Sequence, residues 1–225
     1  MIQISWHDIL SALPALWRGA IVSLQITLVA LIVGIILGCL LALLRLSSSK
    51  PLAMVATAYV TIFRSIPLVM VLLWFYLIAP QFLKALLHLP PNIDVRLASA
   101  FVAFSLFEAA YYAEIIRAGI QSVGRGQLNA GLALGLSYLQ TVQFVILPQA
   151  IRVVTPLLVT QAIILLQDTS LVYVIGLADF FRMAVNIGDR DGTTIDMILF
   201  VGACYFAVCG ILSAIVKLLQ AKTSR

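Results

Sequence analysis

Residues 126–150 read GQLNAGLALGLSYLQTVQFVILPQA. Long apolar runs flank this stretch on both sides, and it closes on Ile146-Leu147-Pro148-Gln149-Ala150. It is too short to cross a bilayer before its proline and too apolar to be an idle loop. Gln127, Gly131 and Gly135 recur every fourth residue, with Ala130 and Ala133 between them. Residues four apart share one face of a helix. A face of Gly and Ala lets another surface approach the backbone closely. Leu132, Leu136 and Leu139 offer an apolar face beside it. Ser137 is placed to cap a following helix, and Pro148 marks the return of the chain to the membrane. Composition alone leaves two readings open: a re-entry helix packed on its own bundle, or a docking surface for a separate cytoplasmic protein.

The rest of the chain supports a membrane setting for this stretch. Of its 225 residues, 63% are hydrophobic and 10% charged, against about 25% charged in soluble domains. The mean hydropathy is +1.11. A spanning helix takes roughly 20 apolar residues, so the length holds about five or six spans and no separate soluble catalytic domain. The net charge of +5 reads as the orienting charge of a membrane protein rather than as a nucleic-acid surface. Cys39, Cys204 and Cys209 lie in apolar runs without ligand spacing and read as packing residues. His7 and His88 are isolated, so no metal site is expected. Met1–Leu13 lacks the basic start of a cleavable signal. Trp6, Leu10, Leu13 and Trp17 suit a short helix lying at the membrane interface, and residues 1–18 are assigned to a periplasmic segment.

The expected fold is all-α and polytopic, with five spans at about 19–44, 53–78, 97–116, 153–175 and 197–219. The second is interrupted at Ser65-Ile66-Pro67, and Pro90-Pro91-Asn92 break the loop that follows it. Residues 118–150 form a long loop. The run Gly188-Asp189-Arg190-Asp191-Gly192 reads as a surface turn, and residues 220–225 as a basic tail. Arg45, Lys50, Arg117, Arg125, Arg152, Lys217, Lys222 and Arg225 gather on one side; Arg18, Lys84, Arg96, Arg182 and Arg190 gather on the other. The larger group marks the cytoplasm. The N-terminus is then outside, the C-terminus inside, and the stretch at 126–150 cytoplasmic.

With that placement the stretch resembles the conserved cytoplasmic loop of permease subunits in binding-protein-dependent ABC importers. Asn129-Ala130-Gly131 stands where that family has Glu-Ala-Ala. Gly135 follows after three residues, and Val145-Ile146-Leu147-Pro148 after nine more. Asn replaces Glu, Gly the second Ala, and Val the Ile. Three further segments are similar to the polar amino acid branch: Phe63-Arg64-Ser65-Ile66-Pro67-Leu68, Tyr112-Ala113-Glu114-Ile115-Ile116-Arg117 and Gln167-Asp168-Thr169-Ser170-Leu171. The runs FRSIPLVMVLLWFYLI and FEAAYY resemble glutamate/aspartate importer permeases in particular. The resemblance implies a type I importer permease fold, with a coupling helix that inserts into a groove on a cytoplasmic ATP-binding subunit. Asn129, Ala130, Gly131, Gly135, Leu147 and Pro148 are the implied coupling residues. It also implies a dimer of ATPases, a second permease subunit identical or related to this one, a periplasmic substrate-binding protein and an amino acid substrate.

Charges inside spans are costly and mark functional positions. At 1.5 Å per residue, Arg64 lies roughly 16 Å from the inner end of span two and Glu108 roughly 16 Å from the outer end of span three. Asp168 lies roughly 22 Å from the inner end of span four on the same count. Pro67 removes a backbone donor and frees carbonyls near Arg64, and broken helices mark substrate sites in transporters. Arg64 is thus a candidate to grip a carboxylate, with Asp168 or Glu108 facing an ammonium. The alternative is that Arg64 and Asp168 pair only with each other. Glu114 and Arg117, one turn apart, read as a helix-end pair. No phosphate-binding Gly-Lys-Ser/Thr loop occurs in the sequence, so ATP is assigned to the partner and no cofactor to this chain. A stand-alone secondary transporter should show internal repeats, and none is visible. An intramembrane enzyme should show a catalytic motif, and neither HExxH nor GxSxG is present.

Overall fold

A computed structural model describes residues 6–81 and 94–223. The expectations for Met1–Ser5, Lys84, His88, Pro90-Pro91-Asn92 and Arg225 lie outside those residues, as does the side chain of Lys222. The described chain is helical throughout: α1 (Trp6–Leu46), α2 (Lys50–Ser65), α3 (Leu68–Leu77), α4 (Arg96–Ser122), α5 (Arg125–Ala133), α6 (Tyr138–Thr141), α7 (Leu147–Asp168), α8 (Phe180–Asp191) and α9 (Thr194–Thr223). A π-helical turn at Val142–Ile146 joins α6 to α7, and a 3-10 segment, Thr169–Ile175, follows α7. Four helical stretches are long and apolar enough to cross a membrane, and the α2–α3 pair forms a broken fifth.

The centre of the bundle is α4. Small residues (Ser99, Ala100, Ala103, Ser105, Ala109, Ala110, Ala113) cover it and let its neighbours come close. Along α1, Gly38 sits where a Cβ would lie 2.7 Å from Tyr112 Cβ and 3.0 Å from Ala113 N. On the α7 side, Gly119 has no room for a side chain against Val154. The outer core joins Ile26, Leu72, Phe104, Leu165 and Val172. By contrast, α7 and α9 leave most of their surface uncovered.

The structure revises three expectations and bears out a fourth. The N-terminal segment is not a separate interfacial helix, because α1 runs unbroken for 41 residues through Pro14. Ile9, Ala12 and Leu16 bury against Ala184 and Ile187 of α8 and Met197 and Val201 of α9, which holds the extension in line. The expected interruption of the second span is present: at Ile66-Pro67 it bends by 102°. Pro67 lacks an N–H and keeps Ile66 extended, at φ −112° and ψ 136°. The expected turn at Gly188–Gly192 is the end of α8. Asp179 caps that helix, accepting from Phe181 N and Arg182 N, and Gly192 closes it in the left-handed region at φ 72°. Finally, α9 continues through Thr223, since no breaker precedes that residue.

Candidate functional site: the α5–α6 hairpin and the intramembrane charges

α5 and α6 fold back on each other as a hairpin between α4 and α7. Its turn is built by Gly135 at φ +85°. Gly135 N donates to Leu132 O and Leu136 N to Gly131 O, the bonding of a glycine-terminated helix. Ser137 then caps α6: its Oγ accepts from Gln140 N at 3.3 Å, and Gln140 Oε1 accepts from Ser137 N at 2.8 Å. The sequence expectation of a cap at Ser137 is met. Pro148 lies inside a continuous helical stretch instead of starting one. The widened π-turn accommodates its missing N–H; Leu147 N reaches back five residues to Val142 O. Gln149 Nε2 donates to Val145 O at 2.8 Å.

The two glycines serve different ends. Gly131 is buried against Thr141 of the same hairpin, so its smallness is used inside the hairpin. Gly135 has open space around it and is required by the left-handed turn. Asn129 and Ala130 are exposed. The apolar surface lies at the tip: Leu134 is 83% exposed, Leu139 72% and Tyr138 65%, with Phe144 and Leu147 beside them.

Within the membrane, the predicted charges divide into two groups. Glu108 is fully buried. It packs against Gly34 of α1 and accepts from Gln161 Nε2 of α7 at 3.2 Å on both carboxyl oxygens. It therefore faces the packed interior. Asp168 lies about two turns beyond Gln161 on α7; among the described residues its side chain has no hydrogen bond or ion pair.

Arg64 belongs to the second group and does not meet Asp168. Glu114 of α4 sits at its centre, paired with Arg45 of α1 through Oε2 and with Arg117 through Oε1. Arg64 stands 3.7 Å from Glu114 Oε2, and its guanidinium lies 5.5 Å from the centre of the Tyr111 ring. The expected Glu114–Arg117 pair is present, but three helices share it. Sequence spacing exposed that pair because it is one helical turn long. Arg45 was visible only as the basic end of a span, and Gln161 carried no signal at all.

A cavity of about 350 Å³ opens between α1, α7, α8 and α9, lined by Leu16, Trp17, Leu24, Phe180, Cys204 and Tyr205 among others. None of the predicted site residues lines it, and its apolar wall is unsuited to a zwitterion. At the start of α4, Asp94 holds Arg96 in a bidentate pair, and Arg96 Nη1 donates to Gly176 O at 2.8 Å. That clamp ties the start of α4 to the end of the 3-10 segment.

Residues 34–225 match the family model of binding-protein-dependent transport system inner membrane components. The chain is 56% identical over 224 residues, the whole of both chains, to a glutamate/aspartate import permease protein of Escherichia coli O157:H7. It is 35% identical to an arginine transport system permease protein of Bacillus subtilis, over 93% of each chain. Among solved structures, the crystal structure of an amino acid ABC transporter with histidines superposes with a TM-score of 0.87 at 30% identity, covering 98% of this chain and 99% of that one. A methionine ABC transporter in an inward-facing conformation shares the fold, with a TM-score of 0.74 at 20% identity, over 95% of this chain and 98% of that one.

Proposed function

The chain belongs to the family of binding-protein-dependent transport system inner membrane components, and on that premise we propose that it forms half the translocation path of an ATP-driven importer for glutamate, aspartate or another polar amino acid. The observation that carries the coupling part of this reading is the hairpin tip, where Leu134, Tyr138 and Leu139 stand exposed between two spans. A contiguous apolar surface of that kind marks an interaction site. Its partner is a cytoplasmic ATP-binding subunit, present twice, which binds and hydrolyses the ATP. The acidic substrate is supported by the full-length likeness to glutamate/aspartate import permeases.

A second permease subunit, identical or related, covers part of the surface that α7 and α9 leave open. A periplasmic binding protein delivers substrate to the outer ends of the helices. The N-terminus then lies outside and the C-terminus in the cytoplasm, as the distribution of Lys and Arg supports. Asp168, without a partner among the described residues, is the acid available to a substrate ammonium, and Arg64 the cation available to a carboxylate.

The test is assembly and uptake with the hairpin tip altered. Leu134→Asp with Leu139→Asp should leave the chain in the membrane while the ATPase no longer co-purifies and glutamate uptake stops. Uptake that continues after the ATPase is inactivated would falsify the importer reading.

A further inference from the structure

Three guanidinium groups surround one carboxylate at the inner part of the bundle. Arg45, Arg64 and Arg117 carry three positive charges and Glu114 one negative, a surplus of two. Both Glu114 oxygens are already engaged, one by Arg45 and one by Arg117. Arg64 is left over: at 3.7 Å from Glu114 it is beyond hydrogen-bond reach. Among the described residues its five N–H donors find no acceptor, although its side chain is only 43% exposed. Arg117 Nε is likewise buried without an acceptor. No second carboxylate among the described residues pairs with any of the three. Arg64 thus keeps guanidinium donors free beside a cluster with surplus positive charge, an arrangement suited to an anion.

The surface around Arg64 indicates where that anion comes from. Thr57, Thr61 and Ser65 lie exposed on the same helix, four residues apart. The Ser65 hydroxyl is spent on Thr61 O, and the Thr57 and Thr61 hydroxyls add polar groups to that surface. The Arg64 guanidinium also lies over the Tyr111 ring.

We propose that Arg64, backed by Arg45 and Arg117, is an oxoanion site on the inner half of the path, and that it takes the carboxylates of an acidic amino acid. The surplus of positive charge suits the two carboxylates of such a substrate, whose net charge with its ammonium is −1. Glu114 is the positioning residue that keeps Arg45 and Arg117 behind the site. The proposal rests on the acidic-substrate reading above and adds the place where such a substrate is recognised. An anionic lipid phosphate is the other source of the same chemistry.

The experiment uses the assembled importer in two nanodisc preparations, one of phosphatidylcholine alone and one containing phosphatidylglycerol. Phenylglyoxal modification of Arg64 is followed by mass spectrometry. Glutamate and aspartate should slow it several-fold in both lipids, and glutamine should do so less. In parallel, Arg64→Gln should raise the half-saturating glutamate concentration for uptake at least tenfold, and Arg64→Lys should recover part of the loss. Modification unaffected by glutamate overturns the site, whether or not the Gln variant assembles. Protection that follows phosphatidylglycerol and ignores glutamate overturns it in favour of a lipid phosphate. A wild-type complex that takes up neither glutamate nor aspartate overturns the functional reading itself; one that takes them up without protection overturns this site alone.

Discussion

Gly131 and Thr141 meet inside the α5–α6 hairpin with no room for a methyl group between them. A Cβ on Gly131 would lie 2.4 Å from Thr141 Cγ2 and 2.8 Å from its Oγ1. Gly131→Ala should therefore force α5 and α6 apart, at a cost of about 1–3 kcal/mol. Removing both Thr141 atoms in Gly131→Ala/Thr141→Ala should recover much of it. Hydrogen exchange of the hairpin amides reads this directly. Equal protection in the single and double variants would mean that Gly131 is not held by Thr141.

Gly135 poses a different constraint. Its φ of +85° costs an L-residue roughly 1–2 kcal/mol, and Asn bears it better than most. Nothing crowds its Cβ position. Gly135→Asn should then keep ATPase co-purification, while Gly135→Val loses it. If the two variants fail alike, the turn tolerates no side chain because a partner surface occupies that open space.

Glu108 and Gln161 form a buried polar pair between α4 and α7. Glu108→Leu should strand the Gln161 amide and cost about 1–3 kcal/mol. Glu108→Leu/Gln161→Leu removes both polar groups and should regain most of the thermal stability in detergent, with uptake retained. A stable double variant without uptake would assign Glu108 to the substrate path.

Asp179 gives the fold a pH dependence. It is fully buried as the cap of α8, and burial raises its carboxyl to about 6, against the bonds from Phe181 and Arg182 that favour the charged form. The unfolded chain releases this proton near 3.9. Between those values the folded state holds a proton that the unfolded state lacks, so stability falls as pH rises through the window. The change is on the order of 3 kcal/mol and complete above pH 6. Asp179→Asn keeps the cap and should flatten the profile between pH 4 and 6. Melting curves of the purified chain at several pH values decide it.

Much of this architecture is legible along the chain because lipid demands long apolar runs. The spans, a helix between them and the Ser137 cap follow from local spacing, but Gly135, expected on the same helical face as Gln127 and Gly131, forms the turn after that helix ends at Ala133. The 102° bend at Pro67 was visible as an interruption, but its angle depends on how α3 packs onto α4. The helical identity of α8 was hidden by a charged end. Its Phe180, Ala184 and Ile187 repeat faces α1 and α9, and only the packed structure supplies that partner. The Gly131 spacing pointed rightly to close contact, yet the contacting group sits ten residues away in the same hairpin. Arg45 and Arg64 converge on Glu114 from helices separated by long stretches of sequence, and no periodicity connects them.

The unbroken length of α1 has a mechanical consequence. At 1.5 Å per residue its 41 residues make a rod about 60 Å long, twice the thickness of the hydrocarbon core. Near one end it is gripped by α8 and α9 through Ile9, Ala12 and Leu16, and near the other by α4 through Gly38 and Arg45. Between those grips it rests on α4 at Gly34, so it behaves as a lever with a bearing near its middle. A tilt of a few degrees about its middle displaces the two ends by ångströms in opposite directions, so one covalent element can report a push at the inner face as an opposite shift at the outer one.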